Sequence, residues 1–467
     1  MRFSKILRVV SGRDRDRGAR RPSYLPGLTA LEARTLLTTY TVTNTSSDFR
    51  TVGSLPFAVF QANYTTPGLD RINFNLPGPG PHVITVNQTL YINDLTVIDG
   101  TTQPGYAGYP VVSIRGTSSV PSIFLLQADN GTTSSGSTIQ GLDMANYTAN
   151  AVTIFASSSG DYIQKNWMGF YLDAAGAPHK TTDTFDQPTY QPTGIGIGSN
   201  YNTIDFNTIS GIYNGIVMGG STCQTNVIRD NNIGTDPTST TSAGYGTESD
   251  GIFLGQGAQG NYIGPNNVSS GNASSGVELL DPSNTGNVIF GNRLGTNYAG
   301  TAAIPNGETG ILIANGASGN TIGGPFGGNV IAGNKLAGIS LGTSNYPGAV
   351  GNYVQYNIIG LNPGQSVVVG SENVGISIGP GATSNIIQTN VIGGQITNGI
   401  VVSASSNNDV TGNYIGQSTS GTPFANVDFG IALLPGASNN RFRSNTFGPS
   451  TYGNYYVDPG ASGNQFQ

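Results

Sequence analysis

Short apolar segments return along this chain at a steady pace. A Gly-Ile-x-Ile-like element recurs at Gly194, Gly215, Gly251, Gly276, Gly310, Gly338, Gly375, Gly399 and Gly430. Its alternating apolar positions (Ile195 and Ile197, Ile252 and Leu254, Ile311 and Ile313, Ile376 and Ile378) carry the period-2 signature of a half-buried strand. A second element, Asn-x-Ile-x-x-Asn-x-Ile, follows at Asn202–Ile209, Asn226–Ile233, Asn287–Leu294, Asn352–Ile359, Asn385–Ile392, Asn408–Ile415 and Asn440–Phe447. Three short strands separated by turns make one triangular coil. Such a coil cannot bury its apolar face alone, so the repeats must stack. The pattern predicts an all-β fold, a single right-handed parallel β-helix with coils ~4.8 Å apart. A β-propeller would want repeats of about 40–50 residues.

Asparagine at the corners is expected to adopt the left-handed conformation of a tight turn, its amides hydrogen-bonding from coil to coil into a ladder. Successive Gly-Ile spacings are 21, 36, 25, 34, 28, 37, 24 and 31 residues, so short and long coils alternate. Each long coil places its surplus after the third strand, in arms at 234–250, 295–309, 360–374 and 416–429, with an earlier one over 169–193. Arms on every second coil form a row about 9–10 Å apart, and loops on a rigid scaffold are where function is usually carried. Ser54-Leu55-Pro56 predicts the start of a short helix. Leu55, Ala58, Val59 and Ala62 would line one face of it, covering the open first coil. Asn464-Gln465-Phe466 reads as another coil beginning.

Composition narrows the class. Of 467 residues only 9 % are charged, 36 % are hydrophobic and 69 are Gly. No stretch approaches the roughly 20 apolar residues of a membrane helix. Nine of the 19 Lys and Arg precede Thr35, with Asp14, Asp16 and Glu32. The rest of the chain has 10 basic against 22 acidic residues, a formal charge of −12. An acidic body argues against nucleic acid and suits divalent cations or neutral and basic partners. Cys223 is the sole cysteine, read as a core filler. His82 and His179 are too few for a histidine-based metal site or triad.

The basic run Arg13–Arg21 has no adequate apolar stretch after it, so it is not a standard signal peptide. Leu31-Glu32-Ala33-Arg34-Thr35-Leu36-Leu37, following an arginine-rich stretch, resembles the amino-terminal signature of planctomycete extracellular proteins, and that resemblance implies export. The expected organisation is a disordered basic export segment over 1–37, a cap and first coils over 38–130, and repeats over 131–467.

The repeat, with its Asn-x-Ile-Gly and Gly-Thr punctuation, resembles bacterial exported right-handed β-helix proteins of the pectin-lyase-like superfamily over roughly Thr39 to the last residue. Enzymes of that class act mostly on acidic polysaccharides. The lyases gather Asp around calcium with an Arg or Lys base, and the hydrolases use close carboxylates. The outward position of the Gly-Ile strand reads Gly196, Val217, Phe253, Glu278, Leu312, Ser340, Ser377, Val401 and Ala432, with one charge among nine, unlike a lyase centre.

The arms are richer. Glu248, Glu308, Glu372 and Asp428 lie just before the Gly-Ile element, Asp250 adds a second acid, and Glu278 with Asp281 lies on the coil between. The densest group, Glu248, Asp250, Glu278, Asp281 and Glu308, is the candidate binding site, for Ca²⁺ or sugar hydroxyls. The competing reading is that each acid fastens its own arm through backbone N–H groups. Arg229, Arg293 and Lys165 are the nearest bases, and Trp167, Phe170 and Tyr171 are an aromatic group at the first arm. No catalytic residue is assigned. The expected function is an exported, non-catalytic surface or secreted scaffold, a monomer, for adhesion or for binding polysaccharide or cell-envelope components. The alternative is a lyase or glycoside hydrolase with its carboxylates on the arms.

Overall fold

The computed structural model describes residues 37–64, 68–172, 178–180, 191–325 and 327–467. The basic segment and all but Leu37 of the export-like signature lie outside the described residues, as does much of the 169–193 arm. From Leu37 onward the chain is one compact unit.

Three parallel sheets of 13, 15 and 13 strands run its length. Sheet 1 holds the Gly-Ile strands, such as Thr193–Ile197. Sheet 2 holds the strand after the first asparagine, such as Thr203–Asp205, and sheet 3 the two-residue strand after the second, such as Thr208–Ile209. The chain visits sheets 1, 2 and 3 in turn, and each strand pairs in parallel with its counterparts one coil before and after. This is the expected right-handed parallel β-helix.

Alternation places one column of side chains inside each sheet. On sheet 2, Ile139, Ile163, Ile204, Ile228, Ile263, Ile289 and Ile322 stack in register and are completely buried. Each buried isoleucine contributes roughly 1.5–3 kcal/mol. Sheet 1 adds the column Ile216, Ile252, Val277, Ile311, Ile339, Ile376 and Ile400. Cys223 is buried in the same core, and burial pushes its thiol up to about 12, which leaves it unreactive.

The glycine of each Gly-Ile element answers a packing demand. A Cβ on Gly338 would stand 2.6 Å from Ile359 Cγ2 and 2.8 Å from the Gly375 carbonyl oxygen, and one on Gly375 would meet Ile392 and Gly399 in the same way. The backbone there is ordinary strand, and what requires glycine is the close approach of the next coil.

The asparagine ladders are present and longer than the repeat suggests. Asn202, Asn226, Asn261, Asn287, Asn320, Asn352, Asn385, Asn408, Asn440 and Asn464 form one, each Nδ2 donating to the next Oδ1 at 2.8–3.1 Å. A parallel ladder runs from Asn166 to Asn445. The conformational expectation needs correcting, because the left-handed residue is the one before nearly every ladder asparagine, with Gly328 before Asn329 the exception. Tyr201 (φ 60), Phe206 (φ 56), Thr225 (φ 56), Asp230 (φ 55) and Tyr356 (φ 59) are examples. The asparagine is needed facing inward for the ladder, so the turn falls on its neighbour, whose side chain is directed outward.

The arms leave sheet 3 and return to sheet 1 on alternate coils, as the spacing implies. Three of them fold back antiparallel (Thr296↔Ala303, Leu361↔Val368, Gln417↔Pro423). They also touch one another, since Gln365 Oε1 accepts from the N–H and hydroxyl of Thr419 at 3.0 and 2.9 Å. Those two arms join into a ridge. At the other end of the molecule, helix Leu55–Tyr64 buries Leu55, Ala58, Val59 and Ala62, and Ser54 Oγ caps it by accepting from Phe57 N at 3.1 Å. The last paired strand, Gln465–Phe466, lies on Arg441–Phe442. Among the described residues no helix is long and apolar enough to cross a membrane.

Candidate functional site

The outward column of sheet 1 follows the predicted register from Gly196 to Ala432. Glu278 stands in it between Phe253 and Leu312 and is nevertheless buried. Burial first, then the charge and hydrogen bond of Asp250 and the charge of Glu308, push its carboxyl up to about 8. Asp250 Oδ1 accepts from Ser275 N at 3.0 Å and its Oδ2 from Ser249 Oγ at 3.2 Å. Asp250 thus faces Glu278 and favours its protonated form, and Glu308 lies close by, exposed, accepting from Ser274 Oγ at 3.4 Å.

The other proposed ligands are elsewhere. Asp281 closes the opposite end of the Glu278 strand, where its Oδ1 accepts from Ser283 N at 2.7 Å. Glu248 is exposed. Glu372 is fully buried in a third ladder, Asn272–Asn306–Asn334–Glu372, where it accepts from Asn334 Nδ2 at 3.5 Å. Among the described residues no three acidic, histidine or cysteine side chains are grouped to hold a metal. The acids spread over strand, arm and core because different parts of the corner needed them.

The fastening of the arms also falls to other residues. Asn297 Oδ1 accepts from the N–H of Thr301 and Ala302, Asn362 Oδ1 from those of Ser366 and Val367, and Ser418 Oγ from that of Thr422. In the 234–250 arm Asp236 does this with Thr238, Thr240 and Thr241. Burial alone would raise the Asp236 carboxyl, but these donors hold it below its usual range.

The aromatic residues of the first arm lead to a second location. Outward on sheet 3, Trp167, Thr208 and Asn232 stack in register and floor a cleft of about 820 Å³. The left-handed corner residues Lys165, Phe206 and Asp230 form one wall, the arm residues Pro237 and Thr238 the other, and Tyr106 and Tyr109 close one end. Trp167 and Tyr109 have ring centroids 6.2 Å apart with planes at 29°, and Trp167 also packs on Phe170 at 5.7 Å. Phe170 is buried and acts as a support, while Phe206 is 55 % exposed. A bulky residue held left-handed costs roughly 1–2 kcal/mol, so Phe206 is strained where its ring meets the cleft.

Trp167 is visible in the sequence as a candidate. Tyr109, Phe206 and Asp230 are not, because they reach the cleft from other coils. Lys165 and Arg229 stand on the adjoining corner and strand, and Arg229 is paired with Asp205 at 3.1 Å. Arg293 Nε is buried without a hydrogen-bond partner among the described residues.

No family model and no curated protein matches this chain. Solved structures that resemble it include the A-module of Azotobacter vinelandii mannuronan C-5 epimerase AlgE4, at 13 % identity and TM-score 0.45, covering 90 % of this chain and 99 % of that one. Another is the DFA-IIIase of Arthrobacter chlorophenolicus A6 without its lid in complex with GF2, at 12 % identity and TM-score 0.45, covering 91 % and 93 %. The Dettilon tailspike protein gives 15 % identity and TM-score 0.37, covering 92 % and 68 %. Likenesses of this order carry no argument about activity. The class defined by the chain itself is a parallel β-helix with an arm ridge and an aromatic cleft.

Proposed function

We propose that this protein is an exported, non-catalytic scaffold that binds polysaccharide in the Trp167 cleft. The observation that carries the reading is the cleft itself. An indole floor is flanked by a strained, half-exposed phenyl ring, with an ammonium (Lys165), a carboxylate (Asp230), an amide (Asn232) and hydroxyls (Thr208, Thr238) converging on the same space. A pyranose ring has an apolar C–H face that stacks on aromatic carbon and an equatorial rim of hydroxyls that needs such donors and acceptors. The opposed charges of Lys165 and Asp230 cancel, which favours a neutral sugar. Export rests on the Leu31–Leu37 signature and is consistent with the charge-poor, acidic body.

The catalytic alternative draws on Glu278, whose retained proton near pH 7 would suit a general acid. Its hydrogen bond to Asp250 argues against it, because a retaining glycosidase needs its carboxyls about 5–5.5 Å apart and an inverting one more. Titration calorimetry of the full chain against neutral oligosaccharides tests the binding reading. Saturable heats that Trp167→Ala lowers at least tenfold in affinity are expected, with no new reducing ends on prolonged incubation. Product release that Glu278→Gln abolishes would overturn it.

A further inference from the structure

Sheet 2 carries an outward column whose members are far apart in the sequence. In register it reads Thr138, Tyr162, Thr203, Val227, Tyr262, Val288, Thr321, Tyr353 and Ile386. A tyrosine thus occurs at every third coil, which places Tyr162, Tyr262 and Tyr353 about 14 Å apart in one line. Their exposures are nearly equal, 46 %, 41 % and 42 %. None of the three has a hydroxyl hydrogen bond or a ring contact among the described residues, although most other rings near the chain's two ends are packed in pairs.

Single exposed aromatics need no explanation. Three in register at equal spacing on one flat face do, because each leaves more than two-fifths of its surface in solvent. Between them stand only Thr and Val, so the column holds no charge from Thr138 to Ile386. The neighbouring Asp205 and Arg229 neutralise each other at 3.1 Å. Near Tyr262 the row opens into an apolar depression of about 270 Å³ lined by Tyr262, Val288, Phe290 and Pro325. At its other end, Lys165, Phe206 and Asp230, the corner residues that close the strands of Tyr162, Thr203 and Val227, form a wall of the Trp167 cleft. The row therefore passes beside the cleft on the same three coils, at the other edge of the sheet 2 strands.

We propose that this row is a docking track for one extended, uncharged polysaccharide chain lying parallel to the solenoid axis. The geometry favours this ligand over the alternatives. A linear polymer presents stacking faces at regular intervals along a straight line, as the tyrosines do. A polyanion would find no positive charge on the track and an acidic body around it. The proposal rests on the reading of the cleft as a carbohydrate site and extends it from a single subsite to a line about 28 Å long.

The test uses the full chain, with affinity gel electrophoresis in hydroxyethyl cellulose and sedimentation with microcrystalline cellulose, and pectate as the charged control. The triple variant Tyr162→Ala/Tyr262→Ala/Tyr353→Ala is expected to lose about tenfold or more in polymer affinity. The corresponding triple Phe variant keeps binding within about twofold and keeps the wild-type melting temperature, because it retains the rings and loses no hydroxyl hydrogen bond. Binding of short oligosaccharides, read on the same proteins by calorimetry, stays sensitive only to Trp167→Ala. A triple Ala variant that binds polymer like the wild type overturns the track and leaves the cleft reading standing. Row-dependent polymer binding without any oligosaccharide binding keeps the track and removes the cleft. Equal or tighter binding of pectate, or self-association lost in the triple variant without polymer binding, overturns the track.

Discussion

At the scale of single residues, the buried carboxyls are informative. Glu372 occupies a ladder position that Asn272, Asn306 and Asn334 fill on earlier coils, fully buried, and burial pushes it up to about 8 against small opposing hydrogen bonds from Asn334 and Gln395. Its Oε2 and the Gln395 Oε1 both lack hydrogen-bond partners among the described residues. A proton on Glu372 supplies the missing donor, so the ladder is satisfied with the acid neutral. In the unfolded chain the group ionises near 4.5. Stability is therefore full below that pH, falls as pH rises towards 8, and is flat above, a span on the order of 5 kcal/mol by linkage. Glu372→Gln keeps an amide in the ladder and removes the titration. Its melting temperature is expected to exceed that of the wild type at pH 8 and to converge with it near pH 4, as followed by circular dichroism. A variant that tracks the wild type at both pH values would show that Glu372 is ionised in the fold.

Among elements, the glycine column sets how tightly coils approach. Gly338→Ala would push a methyl group into Ile359 and the Gly375 carbonyl, both of which are themselves fixed by the next coil. Overpacking of this kind costs about 1–3 kcal/mol, measurable as a lowered denaturant midpoint. Gly319→Ala, where a Cβ meets nothing within 4 Å but the backbone is left-handed at φ 61, separates strain from crowding.

The elements also show how far sequence reading reaches. The coil, the alternating arms, the cap helix and seven of the asparagine pairs are legible because they repeat at fixed offsets. Asn261 with Asn267 and Asn320 with Asn329 escape the pattern. An extra residue at Gly264-Pro265 and an insertion after Ile322 stretch the five-residue interval while leaving the ladder intact. The third ladder is missed because its corner is where arms vary in length. The acidic candidates are read from nearness in the chain, and the fold divides them. Asp250, Glu278 and Glu308 meet, whereas Asp281 and Glu248 do not join them. The cleft and the tyrosine row are assembled across coils more than a hundred residues apart, beyond any local pattern.

For the whole molecule, the buried acids act in concert. Asp143 and Asp161 are raised to about 7, and Glu278 and Glu372 to about 8, each chiefly by burial. Asp236, held below its ordinary range by its donors, and His82, lowered by burial, work in the opposite direction but are fewer. Between about pH 4 and pH 8 the folded chain binds more protons than the unfolded one, so stability declines across that window and levels off above it. A melting temperature that is highest on the acidic side is expected from scanning calorimetry over pH 4–9. A maximum near pH 8 would contradict the assignment of neutral buried acids.

The alternation of coils has one more consequence, for how such a molecule lengthens. Gly215, Gly276, Gly338 and Gly399, each opening a short-armed corner's successor, lie 61, 62 and 61 residues apart. A tandem copy of one coil would set two arms, or two bare corners, side by side and interrupt the ridge. A copy of the pair reproduces every ladder rung, every glycine contact and one arm in its proper place. The heritable unit of growth is thus the doublet, and relatives that differ in length should differ by multiples of about sixty residues.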